Sequence, residues 1–201
     1  MPVLKNAEDL RAIYGEPHAR SVAKEISYLN GQYQAFVKAS PFVVLASSGE
    51  GGLDCSPKGD TPGFVRIIDE RTLAVPDRPG NNCIDNLLNI IGDPRVSLLF
   101  IVPGVGETLR VNGRAEISSD AELLQSFAVN GKLPRTVLIV SIEAVYFHCS
   151  KALVRSKLWD PAQHVARGMP SAGAMIAAIS EEFDAAAYDR ELPERLKQSL
   201  Y

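Results

Sequence analysis

Two short stretches of the 201-residue chain carry side chains suited to holding an anion. In one, Asp77-Arg78-Pro79-Gly80-Asn81-Asn82 follows a short apolar run and precedes CIDNLLNII, which reads as a helix. The Arg78 fork, the amides of Asn81 and Asn82 and the unpaired N–H groups of a helix N-terminus can converge there on one ligand, and phosphate fits that donor set. The same residues also read as a turn with asparagine caps and a solvated arginine. In the other stretch, Cys55-Ser56-Pro57-Lys58-Gly59-Asp60-Thr61-Pro62-Gly63 reads as a loop between two extended segments. Its prolines and glycines set a backbone able to pass close to a flat ligand, and Lys58 can donate to a phosphate or a ring carbonyl. Taken alone, Lys58 is an ordinary surface lysine.

Other chemistries have less support. His18, His148 and His164 are far apart and lack ligand spacing, so no metal site is expected, and His148 on an extended segment reads first as a packed histidine. Cys55, Cys83 and Cys149 form an odd, scattered set that predicts reduced thiols; Cys55 beside Lys58 reads as incidental rather than reactive. No nucleophile-elbow or P-loop signature occurs. A formal charge of −3 with scattered Lys and Arg offers no footprint for nucleic acid or anionic lipid. The first residues lack a signal-peptide core, and no apolar run reaches the roughly 18 residues of a spanning helix, so a cytoplasmic protein without membrane or nucleic-acid partners is expected.

The elements that must position these stretches are mostly strands. Asn6 caps a helix running to Ile13 and closed by Gly15, and residues 17–39 read as helical segments broken near Asn30-Gly31. Residues 1–40 thus form an N-terminal helical layer, expected to dock on the β domain. The period changes at Pro41. Strands are expected at 42–47, 64–68, 72–75, 95–102, 108–117 and 136–150, with a turn cluster at Ser48 to Gly52 and a hairpin turn at Gly104-Val105-Gly106. Short helices are expected at 83–91 and 120–128. So many closely spaced strands predict a mainly β fold with flanking helices, an antiparallel barrel of six strands over residues 41–160. Residues 161–201 read as a loop and then one helix, AMIAAISEEFDAAAY, with Met175, Ile176, Ile179 and Phe183 as an apolar stripe for packing on the barrel or a dimer partner.

The runs SPKGDTPGFVRI, PDRPGNN and PGVGETLRVNGRA, in that order, resemble the FMN-binding split-barrel family that includes pyridoxamine 5′-phosphate oxidase. The resemblance spans residues 35–160 and is closest to a subgroup of probable FMN-dependent enzymes. It implies a six-stranded antiparallel split β-barrel of the FMN-binding type, with flavin at a homodimer interface. It further implies phosphate contacts from Lys58, Arg78, Asn81 and Asn82, and contacts along the ribityl chain and ring from Ser56, Pro57, Val75, Pro76 and Asp77. A partner subunit would complete the pocket, and Glu107, Thr108 and Arg110 of the hairpin and Arg155, Ser156, Lys157 and Trp159 would approach the flavin, its ring or its phosphate. A lone Trp also reads as a core or interface anchor.

The tail departs from the oxidase pattern. The oxidases carry an Arg-x-His-x-Arg segment there, but Pro193 to Tyr201 contains no histidine, which counts against the vitamin as substrate. The resemblance therefore implies an FMN-dependent oxidoreductase acting on an unidentified small molecule, with NAD(P)H a candidate donor and no catalytic side chain identified. The alternative is a flavin- or haem-binding module without turnover, in which His148 would be the haem ligand.

Overall fold

The computed structural model describes residues 3–164 and 168–201. Three helices lead the chain: α1 (Ala7–Tyr14), α2 (Ala19–Ala23) and α3 (Gly31–Ala39). Asn6 caps α1 by accepting from the Asp9 N–H at 2.8 Å, and Asn30 caps α3 by accepting from the Tyr33 N–H at 2.9 Å, so both helices begin where an Asx side chain satisfies an orphan donor. Only α3 buries a residue, Val37; α1 and α2 bury none.

Seven strands come next: β1 (Phe42–Gly49), β2 (Gly52–Gly59), β3 (Arg66–Asp69), β4 (Thr72–Asp77), β5 (Arg95–Ile101), β6 (Thr108–Ser118) and β7 (Thr136–His148). They pair antiparallel in the order β2-β1-β5-β6-β7-β4-β3, which bears out the mainly β, antiparallel class with flanking helices. The extra strand is β2. Residues 52–59, which include the first part of the loop expected at 55–63, instead pair along their whole length with β1. Their polar composition hid this, because β2 pairs with β1 alone and needs no apolar alternation; an edge strand also tolerates Pro57. The hydrogen-bonded ladder does not close, since β2 and β3 remain its two edges.

One side of the curved sheet makes the core. Val43, Leu45, Leu73, Leu98, Phe100, Leu109, Val111 and Val140 alternate inward and are fully buried. Where β6 bulges against β7 at Asn112/Gly113, a Cβ on Gly113 would lie 2.1 Å from the Ser141 carbonyl oxygen, so only glycine lets the strands approach.

Between strands lie α4 (Asp85–Gly92) and α5 (Ala121–Ser126), and after β7 comes α6 (Lys151–Ser156). The C-terminal expectation needs correcting. Instead of one helix over 174–188 there are two, α7 (Ala172–Ala177) and α8 (Ala185–Ser199), because the Asp184 carboxylate accepts from the Ala187 N–H and starts a new helix. Met175 and Ile179 are consequently exposed rather than parts of one packed stripe. Among the described residues, no helix is long and apolar enough to cross a membrane.

Candidate functional site

The end of β2, the end of β4 and the loop leading into α4 enclose a cavity of about 410 Å³. Ser56, Pro57, Lys58, Pro76, Asp77, Arg78, Asn81 and Asn82 all line it, so the two stretches singled out in the sequence do meet. Val75 does not join them: it is buried in the core, because successive β4 side chains face opposite sides of the sheet.

Both expected cations are already paired. Lys58 Nζ lies 2.5 Å from Asp77 Oδ1, and Arg78 Nε lies 3.0 Å from Asp60 Oδ2. Arg78 Nη1 also donates to the Phe127 carbonyl at 2.8 Å, which fixes the guanidinium plane. An incoming anion therefore meets cations oriented by carboxylates rather than free charges. Arg135 differs. It lines the same cavity from the start of β7, is exposed, and has no carboxylate partner among the described residues. Sequence reasoning missed it because it sits about 50 residues beyond the loop it faces. The pairing of Asp77 with Thr136 across β4 and β7 brings it there, and the Arg135 N–H donates to the Asp77 carbonyl at 2.9 Å.

The asparagine loop is shaped by its own side chains. Asn81 Oδ1 accepts from the Cys83 N–H at 3.0 Å, which leaves its amide nitrogen to donate, and Asn82 adopts the left-handed conformation at φ 61° that asparagine tolerates. Ile84 at the N-cap of α4 offers no side-chain oxygen, so among the described residues no side chain caps the first-turn N–H groups.

A buried polar network holds α4 and β2 together behind the cavity. Ser47 Oγ donates to Asn86 Oδ1 at 2.8 Å, Asn86 Nδ2 donates to Ser56 Oγ at 2.7 Å, and Asn89 Nδ2 donates to Asp54 Oδ2 at 2.6 Å. Asn89 reaches this position because Gly49 carries no Cβ, which would fall 2.3 Å from its Oδ1. Ile90 is buried in the core beside these asparagines, and Leu87 packs against it. Asn86 and Asn89 face the sheet, whereas Ile84, Leu88 and Ile91 are 47%, 57% and 75% exposed. Leu53 of β2 is also exposed and lines, with Leu88 and Ile91, a second cavity beside the first.

The remaining expected residues gather elsewhere on the chain. Thr108 and Arg110 of β6 sit opposite His148 and Tyr146 of β7, and Arg110 Nη1 donates to Tyr146 Oη at 2.7 Å. Trp159 Nε1 donates to the Val105 carbonyl at 2.8 Å, tying the segment after α6 to the hairpin turn that leads to Glu107. Arg155 and Ser156 at the end of α6 and Lys157 after it are exposed, with Lys157 in the left-handed conformation that ends the helix. None of these seven lines the first cavity in the single chain. His148 Nε2 is buried without a hydrogen-bond partner among the described residues, and burial, reinforced by Arg110 and Lys24, holds the imidazole below its usual pKa.

No curated protein matches the sequence. Among solved structures, HupZ from Group A Streptococcus is similar at 16% identity, covering 58% of this chain and 91% of that one, with a TM-score of 0.46. A protein of the pyridoxinephosphate oxidase family from Clostridium acetobutylicum, related to general stress protein 26 of B. subtilis, is similar at 15% identity over 59% and 86% of the two chains, TM-score 0.45. A FAD-binding protein from Mesorhizobium loti is similar at 20% identity over 60% and 94%, TM-score 0.43. The family model described as pyridoxamine 5′-phosphate oxidase matches residues 29–149, a span that holds β1 to β7, the cavity and the α4 network. The chain belongs to the pyridoxamine 5′-phosphate oxidase family.

Proposed function

We propose that the cavity between β2, β4 and α4 holds the phosphate end of FMN and that the protein is an FMN-dependent oxidoreductase acting on a small molecule. The observation that carries this reading is the donor set: Lys58, Arg78, Arg135, Ser56 and the amides of Asn81 and Asn82 border one cavity beside a helix start that no side chain caps. These groups fit a phosphate. Asp77 and Asp60 orient Lys58 and Arg78, so less rotamer freedom is lost when the anion arrives. Asn86 holds the Ser56 oxygen through its own N–H, which leaves the Ser56 hydroxyl hydrogen to donate into the cavity. When bound, FMN supplies two-electron transfer between a donor, NAD(P)H being one candidate, and an acceptor.

The chain's own part is to bind, orient and exclude water, and in this reading one subunit does not suffice. Ile84, Leu88, Ile91 and Leu53 form an exposed apolar strip beside the cavities, which supports a homodimer interface at this edge. Across it, Glu107, Thr108 and Arg110 and residues 155–159 of the second subunit would cover the ring. The Trp159 indole, fixed by its bond to the Val105 carbonyl, suits that role.

An absorption spectrum tests the reading. Protein equilibrated with equimolar FMN and haem, then desalted, should retain the two visible bands of oxidised flavin. A Soret band alone would favour haem binding, for which the unpartnered His148 Nε2 is the candidate ligand. A colourless protein would refute both.

A further inference from the structure

Residues 168–201 fold as a helical pair joined through Asp189, whose carboxylate accepts from the Ser171 hydroxyl and, at 2.9 Å, from the Gly173 N–H. Among the described residues, this pair makes one hydrogen bond to the rest of the chain: Tyr201 Oη donates to Asp60 Oδ1 at 2.6 Å. That contact falls on the anion site. The Asp60 side chain is 2% exposed, and its second oxygen accepts from Arg78 Nε at 3.0 Å. The Thr61 N–H donates to Asp60 at 2.7 Å, and the Arg78 guanidinium lies over the Tyr201 ring, 5.6 Å from its centroid.

Several forces keep this contact intact at neutral pH. Burial works to raise the Asp60 carboxyl, but hydrogen bonds from Tyr201 and Thr61 and the charge of Arg78 outweigh it and hold the group below its usual range. The bond to Asp60 in turn pushes the Tyr201 phenol up, so it remains a donor. With Nε on Asp60 and Nη1 on Phe127, Nη2 is the guanidinium nitrogen without a hydrogen-bond partner among the described residues, and Arg78 lines the cavity.

We propose that Tyr201 is a positioning residue for the anion site: by holding Asp60 and covering the Arg78 guanidinium, it fixes the Arg78 fork at the cavity. The α7–α8 pair and a bound phosphate then stabilise one another. The inference rests on the phosphate reading above. Coupling of this kind is reciprocal, so ligand must protect the tail as much as the tail favours ligand.

Tyr201→Phe keeps the ring and deletes the donor at a partly exposed position, so the fold is preserved. Amide hydrogen exchange and flavin titration are compared between parent and variant. Without ligand, amides of residues 185–199 should exchange faster in the variant. FMN should slow them in the parent and bind the variant about tenfold more weakly, while riboflavin, lacking the phosphate, binds both alike. FMN affinity within twofold of the parent, or an equal loss for riboflavin, overturns the proposal. A parent that binds no FMN refutes the phosphate reading instead, and the ligand-free exchange comparison then decides the tail contact alone: identical rates in parent and variant refute it.

Discussion

Replacing Asn86 with leucine tests how α4 is mounted behind the cavity. The two side chains are similar in volume, so the change removes hydrogen bonding with little change in packing. Asn86 accepts from Ser47 at 2.8 Å and donates to Ser56 at 2.7 Å, and each bond contributes about 1 kcal/mol net. Their loss leaves the buried Ser47 hydroxyl with only the longer 3.3 Å contact from Asn89 Nδ2, where it accepts and cannot donate. That unsatisfied donor adds up to about 2 kcal/mol, for a total of about 2–4 kcal/mol. At roughly 2–4 °C per kcal/mol for a chain of this size, Tm should fall by about 4–16 °C in a calorimetric scan. A cycle combining Asn86→Ala with Ser56→Ala should show coupling of about 1 kcal/mol in urea unfolding. A loss of stability below about 0.5 kcal/mol, or strict additivity in the cycle, would refute the claim that this network holds helix to strand.

The same geometry predicts further outcomes. Arg78→Ala should weaken FMN by about 10- to 150-fold, the equivalent of a charge-assisted contact of about 1.5–3 kcal/mol, while leaving riboflavin unchanged; equal losses in parallel titrations would indicate misfolding. His148 has a folded-state pKa below the ordinary 6.5, so its contribution to stability is complete above that value and is lost as pH falls from 6.5 towards the folded pKa. Urea unfolding at stepped pH should show this loss, and His148→Gln should flatten it. Leu88→Asp puts a charge on the exposed face of α4 and should shift sedimentation towards monomer without altering the far-UV spectrum; an unchanged dimer would place the interface elsewhere.

The parts of the fold legible in the sequence were those with local physical causes. Asn6 and Gly15 bound α1 as their side chain and backbone require, and the apolar runs from Phe42, Arg95, Thr108 and Thr136 became strands. The Asp77 to Asn82 loop announced the cavity because its residue types are explicable only by what they can bind or turn. What stayed hidden depends on partners distant in sequence. β2 is polar because only one strand pairs with it, so its alternation carries no apolar signal. The asparagines on the buried face of α4 could not be inferred from hydrophobic period, since Asn86 and Asn89 share that face with Ile90 while Leu88 and Ile91 are exposed; Gly49, which admits Asn89, lies far earlier in the chain. Arg135 and Tyr201 reach the site only through strand pairing and tail docking, and no spacing rule links them to Arg78.

The central claim, that a flavin phosphate sits between β2, β4 and α4, is tested most directly by an X-ray structure of the protein crystallised with FMN. The account predicts phosphate density in the cavity within hydrogen-bonding distance of Arg78 and Arg135, with the ring extending towards Trp159 of a second subunit. Phosphate density elsewhere on the chain, or an empty cavity at saturating FMN, would contradict it.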